Sequence, residues 1–283
     1  MCITADQGLW DMTSFVSSYR NPLRLSLWSV FAVLLLAGCG GTGTSPNPSA
    51  TSQNSPAASP SPALAAAGLK VLVIAADGNE ADFSAIQQAL NAANMNATYY
   101  FAAKTPGGLT SDKLSSNGQP LYQAVILATG SVAFTPDIGQ TWLSALTSAE
   151  WQTLWNFEST NGIREVSWYT YPTAVYDFGN TPTPINTLSG PAYTAQFTPA
   201  GQSLFSHVNA ASLTISGAFL YLAQPVADGT NTPLLVDNGG NALAMMHKYS
   251  DGREVLVLTF DSNAKLPHIQ AIAPDLLLWL AKK

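Results

Sequence analysis

The sequence predicts an α/β domain of parallel strands covered by helices, with an antiparallel extension at one edge. Three observations predict it. Leu69–Ala76, Ala97–Ala103 and Tyr122–Thr129 are short, nearly continuous apolar runs, the pattern of strands buried on both faces. Phe83, Ile86, Leu90 and Ala93 recur at helical spacing between the first two runs, which makes a β-α-β opening. Three later strands follow in quick succession across Asn238-Gly239-Gly240 and Asp251-Gly252, the turn chemistry of a meander.

In chain order, the first strand stops at Asp77-Gly78-Asn79, the helix follows, and the second and third runs bring two more strands. Thr147 and Glu150 form a capping box for a helix with Trp151, Leu154 and Trp155 as its apolar stripe and Asn161-Gly162 as its stop. Ile163–Thr170 is a fourth strand, and residues 171–190, rich in Pro, Thr, Gly and Asn, read as a long loop. Thr198-Pro199 starts a short helix through Leu204 and Phe205. Strands at Pro233–Asp237, Ala242–Tyr249 and Glu254–Asp261 make the meander. A terminal helix from about Ile269 to Leu280 turns Leu276, Leu277 and Leu280 inward, with Pro274 kinking or restarting it.

The chain has 283 residues and a net charge of −6, and only 10% of its residues are charged, against about 25% in a typical soluble domain. Nucleic-acid binding is excluded on that ground, because a phosphate backbone selects clustered Lys and Arg. Hydrophobic residues at 47%, with seven Trp and ten Tyr, supply a sizeable core. Cys2 and Cys39 both precede the domain, which therefore has no disulfide or thiolate metal site. Arg20 and Arg24 followed by the uncharged run Leu25–Ala37 form the n- and h-regions of a signal peptide, too short to span a bilayer, which takes about 20 residues. Leu36-Ala37-Gly38-Cys39 resembles the lipobox of bacterial lipoproteins, which implies acylation of Cys39; an ordinary signal peptide with an incidental Cys is the alternative. Met12 fits a true start, since the residues before it add two acids and a Cys. Residues 40–67 carry five prolines and no charge, a composition that cannot offset its ordering entropy, so residues 39–68 read as an acylated Cys and a mobile tether of roughly 30 Å reach. The expected organisation is a signal peptide over 1–38, that tether, and a single α/β domain over 69–283, lipid-anchored in the bacterial cell envelope and facing the periplasm or the exterior.

Three places carry candidate chemistry. Asp77 and Glu80 stand where the first strand ends, at the sheet edge where α/β proteins bind ligands. They serve either a ligand or the helix, Asp77 as its cap and Glu80 as a complement to its dipole. Trp168, Tyr169, Tyr171 and Tyr176 form the densest aromatic cluster, and aromatic faces stack on sugar C–H faces. Strand alternation forbids Trp168 and Tyr169 from sharing a face, and core packing competes most strongly for Trp168. Asp261 ends a strand at the same edge, or makes an Asx turn. His207, His247 and His268 have no ligand spacing and most of them read as surface residues, so neither a metal nor another cofactor is expected. Ser167 lacks the flanks of a nucleophile elbow.

The order of elements resembles the class I glutamine amidotransferase-like fold, a flavodoxin-like arrangement. More narrowly, LKVLVIAADGNEADFSAIQQAL, YYFAAKTPGGLT, REVSWYTYPTAVYDFG and DGREVLVLTFDSN are similar to the N-terminal carbohydrate-binding domain of galactosaminogalactan deacetylases of moulds and their bacterial relatives. Those proteins continue into a metal-dependent deacetylase domain with paired His, whereas no His-x-x-x-His occurs here and Ser167-Trp168-Tyr169 stands where amidotransferase relatives carry a nucleophilic Cys. The resemblance implies a ligand-binding module rather than an enzyme, holding an exopolysaccharide that contains amino sugars, with a separate deacetylase as a possible partner. Removing residues 1–38 takes away Asp6, Asp11, Arg20 and Arg24, so the charge of −6 that would attract a cationic polymer persists. The alternatives are a hydrolase of the amidotransferase-like superfold using Ser167, and an envelope lipoprotein that binds another protein.

Overall fold

The computed structural model describes residues 68–137, 141–263 and 265–282. The expected signal peptide, Cys39 and the expected tether through residue 67 lie outside the described residues. Among the described residues no helix is long and apolar enough to cross a membrane. The strands in chain order are β1 (Lys70–Ala75), β2 (Asn96–Phe101), β3 (Ala124–Leu127), β4 (Arg164–Ser167), β5 (Thr183–Asn186), β6 (Tyr193–Phe197), β7 (Ser212–Ile215), β8 (Phe219–Leu222), β9 (Asn231–Val236), β10 (Ala242–Lys248) and β11 (Glu254–Leu258). The helices of six residues or more are α1 (Ala81–Ala92), α2 (Ser148–Asn161), α3 (Pro199–Leu204) and α4 (Pro267–Leu280).

Nine of these strands make one sheet in the order β7-β6-β9-β10-β11-β4-β3-β1-β2. β2, β1, β3, β4 and β11 run parallel to one another, which is the 2-1-3-4-5 order of flavodoxin-like domains. β11 is the joint, because its other edge pairs antiparallel with β10 and opens the meander into β9, β6 and β7.

Alternation along the parallel strands divides the core in two. Val71, Val73, Ile126 and Val166 face α1 and α4, meeting Phe83, Ile86, Leu90, Ile269 and Leu276. Leu72, Ile74, Val125 and Leu127 face α2, meeting Trp151, Leu154 and Phe157. Both faces are covered, so neither can be polar, and the continuous apolar runs follow from that. Each such side chain contributes about 1.5–3 kcal/mol on burial.

Three expectations are corrected, and two strands are added to them. The fourth strand ends at Ser167 rather than Thr170. Its backbone then bonds alternately to both neighbours, Trp168 N–H to Leu127 O at 3.0 Å and Thr170 N–H to Leu258 O at 2.8 Å. The loop over 171–190 contains β5, which pairs antiparallel with β8 in a separate two-stranded ribbon. β6 and β7, which no sequence pattern above identified, extend the sheet. α4 starts at Pro267 and runs through Pro274 without restarting.

Candidate functional site

The turn after β1 is built by its own carboxylates. Asp77 Oδ1 accepts the Asn79 N–H and Oδ2 the Asn79 side-chain amide, both at 2.8 Å, and the backbone bond above all holds the acid below the usual carboxylate range. Glu80 folds back on the strand end, accepting from Ala76 N–H and, at 2.9 Å, from Gly78 N–H. Gly78 has φ +88°, and a Cβ there would lie 2.6 Å from the Phe101 ring, so no other residue fits. Glu80 is the N-cap residue of α1, but neither side chain makes a capping bond, and both acids are engaged in the turn.

Two of the four aromatics named from the sequence lie inside. Trp168 has no exposed surface, and its indole N–H donates to Ser262 Oγ at 2.8 Å. Ser262 Oγ–H in turn donates to Asp82 Oδ1 at 2.7 Å. Tyr176 is 4% exposed, and its hydroxyl accepts the Ser131 N–H at 2.7 Å. That bond supports the turn after β3, where Ser131 and Val132 both have positive φ, 59° and 45°. A ring with no open face cannot stack on a sugar, so Trp168 and Tyr176 are support rather than contact.

Tyr169 and Tyr171 remain half-buried at the rim, and alternation does separate Tyr169 from Trp168. They meet a residue the sequence reading missed. Tyr221 of β8 lies nearly parallel to Tyr169, with ring centroids 6.0 Å apart and 16° between planes, and takes Tyr171 edge-on at 4.8 Å. Tyr221 is half-buried as well. The signal that could have found it is the run Phe219-Leu220-Tyr221-Leu222, a strand pattern just past Gly217. The three rings form one tyrosine face beyond the carboxyl ends of β4 and β11.

Asp261 stands beside this face, half-buried, its Oδ1 accepting the Phe219 N–H at 2.9 Å. Burial pushes its carboxyl up to about 6, against the opposing pull of that bond. Asp82, 2% exposed, is held well above the usual range, chiefly by burial. The histidines are not all on the surface: His247 and His268 are buried, and burial lowers His268 to about 4. Among the described residues no three His, Cys, Asp or Glu side chains converge on a metal position. Ser167 is fully buried with its hydroxyl 2.7 Å from that of Thr170.

A family model described as Agd3 CBM87 matches residues 68–261, which span the first strand, the tyrosine face and Asp261. The chain belongs to the Agd3 CBM87 family. The resemblance drawn from the sequence blocks, to a deacetylase-associated carbohydrate-binding domain, is thereby borne out. The crystal structure of Agd3, titled a novel carbohydrate deacetylase, is similar at a TM-score of 0.54 and 19% identity over 68% of this chain. This Agd3 CBM87 chain spans 29% of that protein's length. Weaker likeness extends to a GMP synthase protein of Thermoplasma acidophilum (TM-score 0.45, 9% identity, 76% of this chain and 94% of that one). It also extends to a glutamine amidotransferase of Thermotoga maritima (TM-score 0.36, 12% identity, 69% of this chain and 76% of that one). No curated protein matches the chain.

Proposed function

We propose that the domain binds an extracellular polysaccharide on the face made by Tyr169, Tyr171 and Tyr221. The observation that carries this is a family match whose span includes three half-buried tyrosines gathered from two separate segments at the ligand-binding edge of the sheet. Phenol rings offer flat hydrocarbon to pyranose C–H groups and a hydroxyl at the rim for sugar oxygens. A net charge of −6 favours a polymer carrying some free amino groups, so an amino-sugar polysaccharide is the ligand class. Asp77 and Glu80 do not enter this reading, because their oxygens hold the turn after β1.

Affinity electrophoresis through gels carrying chitosan, chitin-derived and neutral glucan polymers tests it. Retardation by the amino-sugar polymers is expected, falling about tenfold in affinity for Tyr171→Ala or Tyr221→Ala, the equivalent of roughly 1.4 kcal/mol for one ring. Equal retardation of wild type and both variants on every polymer would count against the face.

The same proposal puts the domain on a lipid anchor at Cys39 in the bacterial cell envelope, facing the periplasm or the exterior, with a deacetylase acting in trans. Several acyl chains on one Cys, at about 0.8 kcal/mol per buried CH₂, suffice for stable membrane attachment. Labelled palmitate should enter the wild-type chain in a bacterial host and fail to enter Cys39→Ala; label in both would remove the anchor.

A further inference from the structure

We infer that Asp261 is the positioning residue of Tyr221: a two-point clamp on Phe219 holds the strand that carries this ring, and the carboxylate does not itself contact the glycan. This rests on the carbohydrate reading of the tyrosine face and assigns Asp261 a role within it. The geometry is a short antiparallel extension beyond the end of β11. Asp261 N–H donates to Phe219 O at 2.8 Å, and Asp261 Oδ1 accepts the Phe219 N–H at 2.9 Å. Two residues on, Tyr221 N–H donates to Thr259 O at 2.9 Å and Thr259 Oγ1 donates to Tyr221 O at 2.8 Å, with Leu220 and Phe260 bridged between them. β8 has β5 on its other edge and no place in the nine-stranded sheet, so this strap fixes where Tyr221 stands against Tyr169 and Tyr171. In it, Asp261 contributes the side-chain acceptor, and that acceptor can change its charge.

The surroundings make the charge matter. Asp82 of α1 feels the charge of Asp261, which adds to the burial that raises its own carboxyl, so it stands beside Asp261 as a neutral acid. His268 of α4 lies edge-on to Phe260, near the Asp261 backbone, and stays neutral down to about 4 because it is buried. β8 brings only the Phe219 amide and Tyr221, and the segment after β4 brings Tyr169 and Tyr171. An ionised carboxylate accepts a charge-assisted bond roughly twice as strong as a neutral one. With the Asp261 carboxyl at about 6, the clamp tightens as pH rises through that value and slackens below it.

Amide-resolved NMR and binding of a glucosamine hexamer, with its N-acetylated counterpart, test the inference on the mature protein. In wild type the Phe219 amide should titrate with a midpoint near pH 6, and in Asp261→Asn it should not. The Asn side chain keeps an acceptor, so Asp261→Asn should hold both hexamers within about twofold of wild type at pH 7.5 and lose the pH dependence of affinity. Asp261→Ala should free the Phe219 and Tyr221 amides to exchange at least tenfold faster and weaken both hexamers as much as Tyr221→Ala does. Loss of the charged hexamer alone in Asp261→Asn would overturn the inference, because the carboxylate would then read the ligand directly. A Phe219 amide indifferent to pH would overturn it too. If wild type bound neither hexamer the carbohydrate reading would fail by itself, and the Phe219 titration and exchange would still decide the clamp.

Discussion

Trp168 shows what one buried polar atom demands of its neighbours. An indole N–H in a dry core costs about 1–3 kcal/mol if left unpaired, and here it donates to Ser262 Oγ, whose own proton goes to Asp82. The relay joins the end of β4, the segment after β11 and the start of α1, with the Ser262 N–H adding a second bond to the same Asp82 oxygen at 2.5 Å. Asp82 is buried and held well above the usual carboxylate range, so its charge is disfavoured and the hydroxyl and amide donors supply what compensation there is. Trp168→Phe should therefore destabilise the fold by about 2–4 kcal/mol, combining the lost donor with the smaller ring, while the folded fraction keeps wild-type glycan affinity. Urea unfolding followed by binding on the same samples separates the two readouts. A loss of affinity without a loss of stability would return Trp168 to the ligand.

At the scale of elements, α2 is fixed at its start by Glu150. That side chain closes the capping box with Thr147 and also accepts from Leu109 N–H and the Tyr100 hydroxyl, each at 3.0 Å. Burial alone would raise its carboxyl, but these donors outweigh it and hold the acid below its usual range. Thr147→Ala should cost about 1 kcal/mol, visible as a lower urea midpoint with an unchanged slope. This box could be read from the sequence because Thr-x-x-Glu before an apolar stripe is a local pattern. β1, β3 and β11 could be read for a related reason, since burial on both faces leaves a continuous apolar run, whereas β2, expected to be the same, is an edge strand only partly buried along its length. The ribbon could not. β5 is Thr-Pro-Ile-Asn with one partly buried apolar side chain, so its pairing with β8 leaves no periodic trace in the sequence. β6 and β7 do carry one, in the alternately buried Ala195, Phe197, Leu213 and Ile215, but it lies among Thr, Gln and Ser that resemble loop. The candidate site divides along the same line. Tyr169 and Tyr171 lie next to a legible strand, whereas Tyr221 reaches them from one whose position depends on contacts far away in the chain. For Asp77 and Glu80 the sequence left two readings open, because a carboxylate at a strand end looks the same in sequence whether it faces a ligand or its own turn.

For the molecule as a whole, the buried ionisable groups set how stability depends on pH. Glu165 of β4 and Glu158 of α2 are 3% and 0% exposed and lie together. Arg253 stands 3.9 Å from the Glu158 carboxyl, packed over the rings of Tyr249 and Trp155. Burial pushes Glu165 up to about 7, although Glu158 and Arg253 pull it down, and burial with the neighbouring Glu165 pushes Glu158 well up. Both acids, with Asp82 and Asp261, hold protons in the folded state at a pH where the unfolded chain has released them. Their contribution is full below the unfolded carboxylate values near 4 and fades as pH rises through the folded ones. His268 acts oppositely. It resists protonation until about 4 when folded and takes a proton near 6.5 when unfolded, so its contribution fades as pH falls between those values. Asp77, Glu150 and Asp237, held low by their hydrogen bonds against the burial that opposes them, withdraw support below about pH 4. Between about pH 4 and pH 6.5 the four raised carboxyls weaken the fold faster than His268 and His247, both lowered by burial, strengthen it, which places maximal stability at about pH 4, with a decline toward pH 8. Glu165→Gln removes one of the groups responsible, so relative to wild type it should gain stability between pH 5 and pH 8. Calorimetric midpoints across pH 4–9 check both statements: a wild-type maximum at pH 8, or a Glu165→Gln curve parallel to wild type, would mean that Arg253 keeps the pair ionised and that the two acids share no proton.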